Sequence, residues 1–265
     1  MPDTKQTVVF FEGDDDKAFL EKLLEVGLLP AGWQLANRDK NQHPGKDGLI
    51  RQLLPVISPV DGIGGRAVVL VDLDEMTALQ RLAWFRTQLT EALKDQKYAS
   101  VELADGASQP RIQSFRLASE ARVGHAVAVV VGQPDDADLN AKYQIDRFAI
   151  DDWVFRLALN QRVFENVSDL RGIKYETATK KFLEVATLFR GNGLEVRKAK
   201  TYLQILRALA AIAPSTATIV GRLVKKGFEA LGQEQFVGLI KPFLDDLTAA
   251  AAILSAPDAS NSTQP

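Results

Sequence analysis

The chain has 265 residues, of which 46% are hydrophobic and 25% charged, with a formal net charge of −2. That is enough apolar material to bury a sizeable core, in one large domain or two modest ones. Cysteine is absent and His43 and His125 are the only histidines, so disulfides, thiolate zinc sites and cysteine nucleophiles are excluded, and any metal would be held mainly by oxygen.

No stretch approaches the roughly 20 uninterrupted apolar residues of a membrane helix. The N-terminus runs from polar residues straight into a strand-like segment rather than a signal peptide. The expectation is a soluble, cytoplasmic protein without a membrane partner. Its near-neutral charge supplies no global attraction to nucleic acid, so binding a polyanion would rest on local patches and metal ions.

In chain order, Val8-Val9-Phe10-Phe11 is a β-branched and aromatic run that stops at Glu12-Gly13. Phe19, Leu20, Leu23 and Leu24 then follow at helical spacing, which reads as strand, tight turn and helix. A short strand over 33–36, a polar loop over 37–48 and a helix over 49–57 come next. Ala67-Val68-Val69-Leu70-Val71 is apolar without interruption, as expected of a parallel strand covered on both faces. A helix is predicted over 76–93, and strands over 111–117 and 126–131. This alternation predicts an α/β fold with a mostly parallel sheet flanked by helices, over about 1–138.

From about 139 the pattern turns helical, with predicted helices at 150–162, 176–189, 199–212, 216–231 and 233–254 and breakers at Gly191-Asn192-Gly193 and Pro214. This α-helical C-terminal part, 139–254, has a soft boundary with the α/β part. Residues 255–265 are small and polar and read as a disordered tail.

Glu12 stands where the first strand stops, and Asp72 and Asp74 where the third one stops. Ligands of open α/β sheets bind beyond the carboxyl ends of the strands, so these carboxylates can converge from distant positions. Asp72 and Asp74 would point to one side if the strand continued through them. Asp16, one helical turn beyond Glu12, can join them. Crowded carboxylates disfavour one another's ionisation, and a divalent cation relieves this. Mg²⁺, or Mn²⁺ in its place, suits such an all-oxygen set.

Simpler readings exist for several of these residues. Asp14 and Asp15 open a helix, where negative charge is favoured, and are set aside as capping residues. An apolar strand ending in Asp-Leu-Asp-Glu also looks like a Walker B strand, but the chain has no G-x-x-x-x-G-K-[ST] phosphate loop. Trp33, Trp84 and Trp153 lie in apolar-periodic settings and read as core.

The strand ending in Glu12-Gly13, followed some sixty residues on by Val69-Leu70-Val71-Asp72-Leu73-Asp74, resembles the TOPRIM domain of topoisomerases, primases and OLD-family (overcoming lysogenization defect) nucleases. The resemblance covers about residues 6–95 and thins towards 205. Within the thinner part, Ala149-Ile150-Asp151-Asp152-Trp153 looks like the Ile-Glu-Asp segment of OLD-type proteins, with Asp151 in place of the usual Glu. Asp151-Asp152 reads equally as an acidic helix start. Lys198-Ala199-Lys200 falls where those nucleases carry a catalytic lysine; Lys200 is favoured over Lys198.

The resemblance implies Mg²⁺-dependent hydrolysis of DNA or RNA phosphodiesters. Glu12, Asp16, Asp72, Asp74 and Asp151 would serve the metal, and Glu12 and Lys200 the chemistry. It also implies work beside a separate ATPase and a role in phage defence. A tyrosine-dependent topoisomerase or a multidomain primase does not fit so short a chain. The competing expectation is a non-catalytic TOPRIM-fold binding module. The segment 171–200 carries eight basic residues against three acidic ones. In it, Lys180, Lys181, Arg190, Arg197 and Lys198 are candidates for tracking a phosphate backbone, and a solvated helix face is the equal alternative. Oligomeric state is left open.

Overall fold

The computed structural model describes residues 6–36, 46–60, 65–120, 122–167, 170, 172–193, 197–210 and 215–256. These form β1 (Thr7–Phe10), α1 (Asp14–Glu25), β2 (Trp33–Leu35), α2 (Lys46–Ile57), β3 (Arg66–Asp72), α3 (Ala78–Ala92), β4 (Glu102–Gln109), β5 (Ile112–Ala118) and β6 (Val123–Val131). The helices α4 (Ala137–Tyr143), α5 (Asp151–Ala158), α6 (Gln161–Asn166), α7 (Tyr175–Gly191), α8 (Ala199–Ala210) and α9 (Thr216–Ser255) follow. The six strands make one sheet in the order β2-β1-β3-β6-β5-β4. The first four are mutually parallel, and β5 and β4 continue antiparallel. The fold is therefore α/β with a mostly parallel sheet, helices on both faces and a helical C-terminal part. None of the described helices is long and apolar enough to cross a membrane.

The uninterrupted apolar run of β3 has its explanation in two cores. Val68 and Leu70, with Val9, Val127 and Val129, face one core, built with α1 and α5 to α9. Ala67, Val69 and Val71, with Phe10, Ala128 and Val130, face the other, built with α2 and α3. A strand buried on both sides cannot alternate with polar residues. Burial of each such side chain contributes about 1.5–3 kcal/mol. The C-terminal helices thus close the first face of the sheet in one continuous core.

β4 and the helix expected at 150–162 depart from the sequence reading, whereas the break in α9 agrees with it. β4 escaped it because nearly every residue from Glu102 to Gln109 is exposed, leaving an edge strand with no apolar period. The helix expected at 150–162 is two helices, because the Asn160 side chain caps a new start by accepting the Val163 N–H at 3.3 Å. α9 runs to Ser255 but is broken at Gly232 (φ 73°), where the sequence had placed the break between two helices. The tail 257–265 and most of the 37–48 loop, with His43, lie outside the described residues.

α2 presses on the sheet where β6 begins. A Cβ on Gly124 would lie 1.8 Å from the Ile57 carbonyl oxygen. Because that obstacle is backbone, Gly124→Ala should destabilise the protein by about 3 kcal/mol. The expected fall in Tm is roughly 5–10 °C, read by thermal unfolding. An unchanged Tm would mean that α2 does not sit this close to β6.

Candidate functional site

At the carboxyl edge of the sheet, three pieces of chain meet. The first follows β1, where Glu12 precedes Gly13, the N-cap of α1, and the Asp16 carboxylate accepts the Gly13 N–H at 2.7 Å. The second is the end of β3, where the Asp72 N–H donates to Glu12 Oε1 at 3.3 Å across a sequence separation of 60. The third is the segment leading into α5. It is tied to the second by a two-bond bridge, the Asp74 N–H to the Phe148 carbonyl at 2.8 Å and the Phe148 N–H to the Asp74 carbonyl at 3.0 Å. Gly132 makes room for it, since a Cβ there would stand 2.6 Å from that of Phe148. The strand-like contact between Arg147 and Lys198 then brings the start of α8 alongside.

The carboxylates brought together feel one another. Asp16 is buried, and that burial, reinforced by Asp151 and Glu12, pushes its carboxyl up to about 7. Asp72 is raised well above the usual range, first by desolvation and then by Asp16, Glu12, Asp151 and Asp74. Asp151, in the first turn of α5, is pushed up to about 7, chiefly by burial, with Lys200 opposing. Its Oδ1 is buried and has no hydrogen-bond partner. Glu12, Asp16, Asp72 and Asp151 therefore share one field.

Asp74 has a different situation. β3 ends at Asp72, and Asp74 adopts the left-handed conformation (φ 52°), so the extended geometry that would align the two side chains does not persist. Its carboxylate is gripped by buried Arg81 at 2.8 Å and by Lys198 at 2.9 Å. Arg81 also reaches the Leu73 carbonyl at 3.3 Å. A residue so occupied sets the shape of the turn after β3.

Lys200 Nζ is 2.6 Å from Asp15 Oδ2. Burial alone would lower the ammonium, but its bond to Asp15 and the fields of Asp151, Asp15 and Asp16 outweigh this and raise it. Asp15 is itself buried, so setting it aside as a helix-capping residue was incomplete, whereas Asp14 is exposed on the first turn of α1. Local sequence carries no mark of the partnership, because Lys200 lies on α8, far along the chain. Arg81, only seven residues after Asp74, was missed because nothing in the sequence marks an arginine of α3 as buried. Asp152 has a structural part, its Oδ2 accepting the Gln133 and Ala149 N–H groups at 2.9 and 3.1 Å.

The basic segment divides. Lys180 and Lys181 are exposed on α7 and pair with Glu184. Arg197 binds Asp146 at 2.9 Å and Glu75 at 3.3 Å. Lys198 is on Asp74, and the side chain of Arg190 lies outside the described residues. Within the described part of this segment, Lys198 is tied to Asp74 and Lys200 to Asp15.

Sheet order and helix placement define an α/β protein with its candidate site at the carboxyl edge of the parallel strands. The chain is similar to a hypothetical protein from Pyrococcus horikoshii OT3, known from a crystal structure. The TM-score is 0.54 at 13% identity, over 94% of this chain and 100% of that one. At that identity the likeness concerns the fold alone. No protein-family model and no curated protein matches the sequence.

Proposed function

We propose that the chain is a TOPRIM-type, Mg²⁺-dependent nuclease that hydrolyses DNA or RNA phosphodiesters. The observation that carries this reading is the convergence of Glu12, Asp16, Asp72 and Asp151, from three separate segments, beyond the carboxyl ends of β1 and β3. Among the described residues no three acidic or histidine side chains stand in a geometry that would hold one ion. Mg²⁺ commonly uses one or two carboxylates and keeps several waters, so a closed cage is not required. The donor set is all oxygen, and the unpartnered Asp151 Oδ1 supplies a buried lone pair. On these grounds the residues fit the ion.

In this reading Glu12 and Asp72 hold Mg²⁺, with Asp16 and Asp151 close behind. The bound ion would supply Lewis-acid stabilisation of phosphate oxygens and a water of lowered pKa. Lys200, whose acidic surroundings keep it protonated at neutral pH, provides positive charge for a pentavalent phosphorus centre and a proton for the leaving oxygen. Asp74 and Arg81 hold the turn that presents Asp72. A separate ATPase partner and a defence role belong to the same proposal, on the OLD-like arrangement of residues. The occupation of Asp74 by two cations favours a second reading, a non-catalytic binding module.

Incubation of the protein with plasmid, single-stranded DNA and RNA in Mg²⁺ or Mn²⁺ separates the two. The expected result is cleavage that EDTA abolishes and that Lys200→Met slows by about a hundredfold, within the usual range for loss of an acid or charge stabiliser. Cleavage at full rate in EDTA would rule out the metal-dependent reading, and no cleavage of any substrate would leave the binding module.

A further inference from the structure

The opposite edge of the sheet carries a second arrangement that the acidic site does not use. Arg66 opens β3, and the register pairs it with His125 of β6, which in turn pairs with Arg116 of β5. Residues paired in register project to the same face of a sheet. Val68 and Val127, two residues further along their strands, lie in the core under the C-terminal helices, so this row faces the same way. Two guanidinium groups and an imidazole thus stand side by side across three adjacent strands. They line a cavity of about 580 Å³, closed on one side by Ile253 to Ala256 at the end of α9.

The positive charge there exceeds what the described residues neutralise. Among the described residues neither Arg66 nor Arg116 forms an ion pair, and Arg116 Nε is buried without a hydrogen-bond partner. Among the described residues of the lining Asp105 is the one acidic side chain, and both its oxygens are taken by Arg86 Nε at 2.9 Å. The carbonyl end of α9 offers roughly half a negative charge, and the Ala256 N–H already serves two of its carbonyls. That is too little to balance two guanidinium groups. Guanidinium forks match the oxygens of a phosphate. The volume is in the range of small-molecule sites and well beyond a bare oxyanion. Val127 and Leu254 add an apolar wall.

We propose that this cavity binds the phosphate group of a small phosphate monoester, with Arg66 and Arg116 as its principal ligands and His125 between them. β3 spans seven residues from Arg66 to Asp72, which places the cavity about 20 Å from the acidic edge. It is a separate site and stands or falls apart from the nuclease reading.

The test is isothermal titration of the full chain, in EDTA, with 5′-AMP and ribose 5-phosphate as probes. Saturable binding to wild type is expected. It should weaken by about tenfold to a hundredfold in Arg66→Gln and in Arg116→Gln, the usual loss for a charge-assisted hydrogen bond, and stay unchanged in Asp72→Asn. Thermal melts identify any variant that fails to fold, and the remaining arginine variant then decides. Absence of saturable binding to either probe, equal affinity in the folded arginine variants, or loss in Asp72→Asn would each overturn the proposal.

Discussion

Asp72→Asn should lower Mg²⁺-dependent cleavage by about a thousandfold or more, equivalent to about 4 kcal/mol in the barrier, while the protein keeps or gains thermal stability. The combination follows from the surroundings of Asp72. Its carboxyl is forced upward by desolvation and by the carboxylates of Asp16, Glu12, Asp151 and Asp74. An amide of the same shape removes that repulsion but is a far poorer ligand for a hard cation. Asp74→Asn, by contrast, is expected to lose thermal stability. It would leave Arg81, which is 3% exposed, without its anionic partner, and removing one member of such a pair costs roughly 3 kcal/mol or more. The measurement is cleavage rate and Tm on both variants side by side. If Asp72→Asn cleaves as wild type, the reacting centre lies elsewhere.

The contrast between these two aspartates also shows how far sequence can reach. Asp72 was legible because a five-residue apolar run must end somewhere, and in a parallel sheet its end is where ligands bind. Glu12 was legible by the same logic, and the bond between its side chain and the Asp72 backbone joins the two ends. The role of Asp74 was not legible, because it depends on one left-handed residue and on partners seven and 124 positions away. Asp15 was misjudged for a related reason. Three consecutive aspartates at a helix start satisfy capping rules whichever of them is buried, and only the arrival of α8 distinguishes Asp15. Among the larger elements, β3 and β6 declared themselves by their apolar runs. β4 had no such signal, since an edge strand exposed on nearly every residue is specified by its partner β5 rather than by its own pattern.

Without metal, the protein should be less stable at pH 8 than at pH 5, and Asp151→Asn should remove its share of the difference. Asp16, Asp151 and Asp152 are each pushed up to about 7, with burial the largest cause. In the unfolded chain an aspartate ionises near 3.9. Between these values the native state binds more protons than the unfolded state, so stability falls as pH rises. The stability these three carboxyls contribute is full below about 4, declines through the window from about 4 to 7 and is gone above it. A carboxyl held at about 7 costs up to about 4 kcal/mol once ionised. Relaxation and the shared field reduce this, and a gain in Tm of about 5–10 °C for Asp151→Asn at pH 8 is expected. At pH 4 the native carboxyl is already neutral, and the two proteins should melt alike. Mg²⁺ acts on the ionised form, so at pH 8 it should raise the Tm of wild type, by an amount growing with concentration, and raise that of Asp151→Asn less. Calorimetry in EDTA and in Mg²⁺ at the three pH values reads all of this. A wild-type Tm that does not fall between pH 5 and 8 in EDTA would show that these carboxylates are not crowded, and the case for a cation site would go with them.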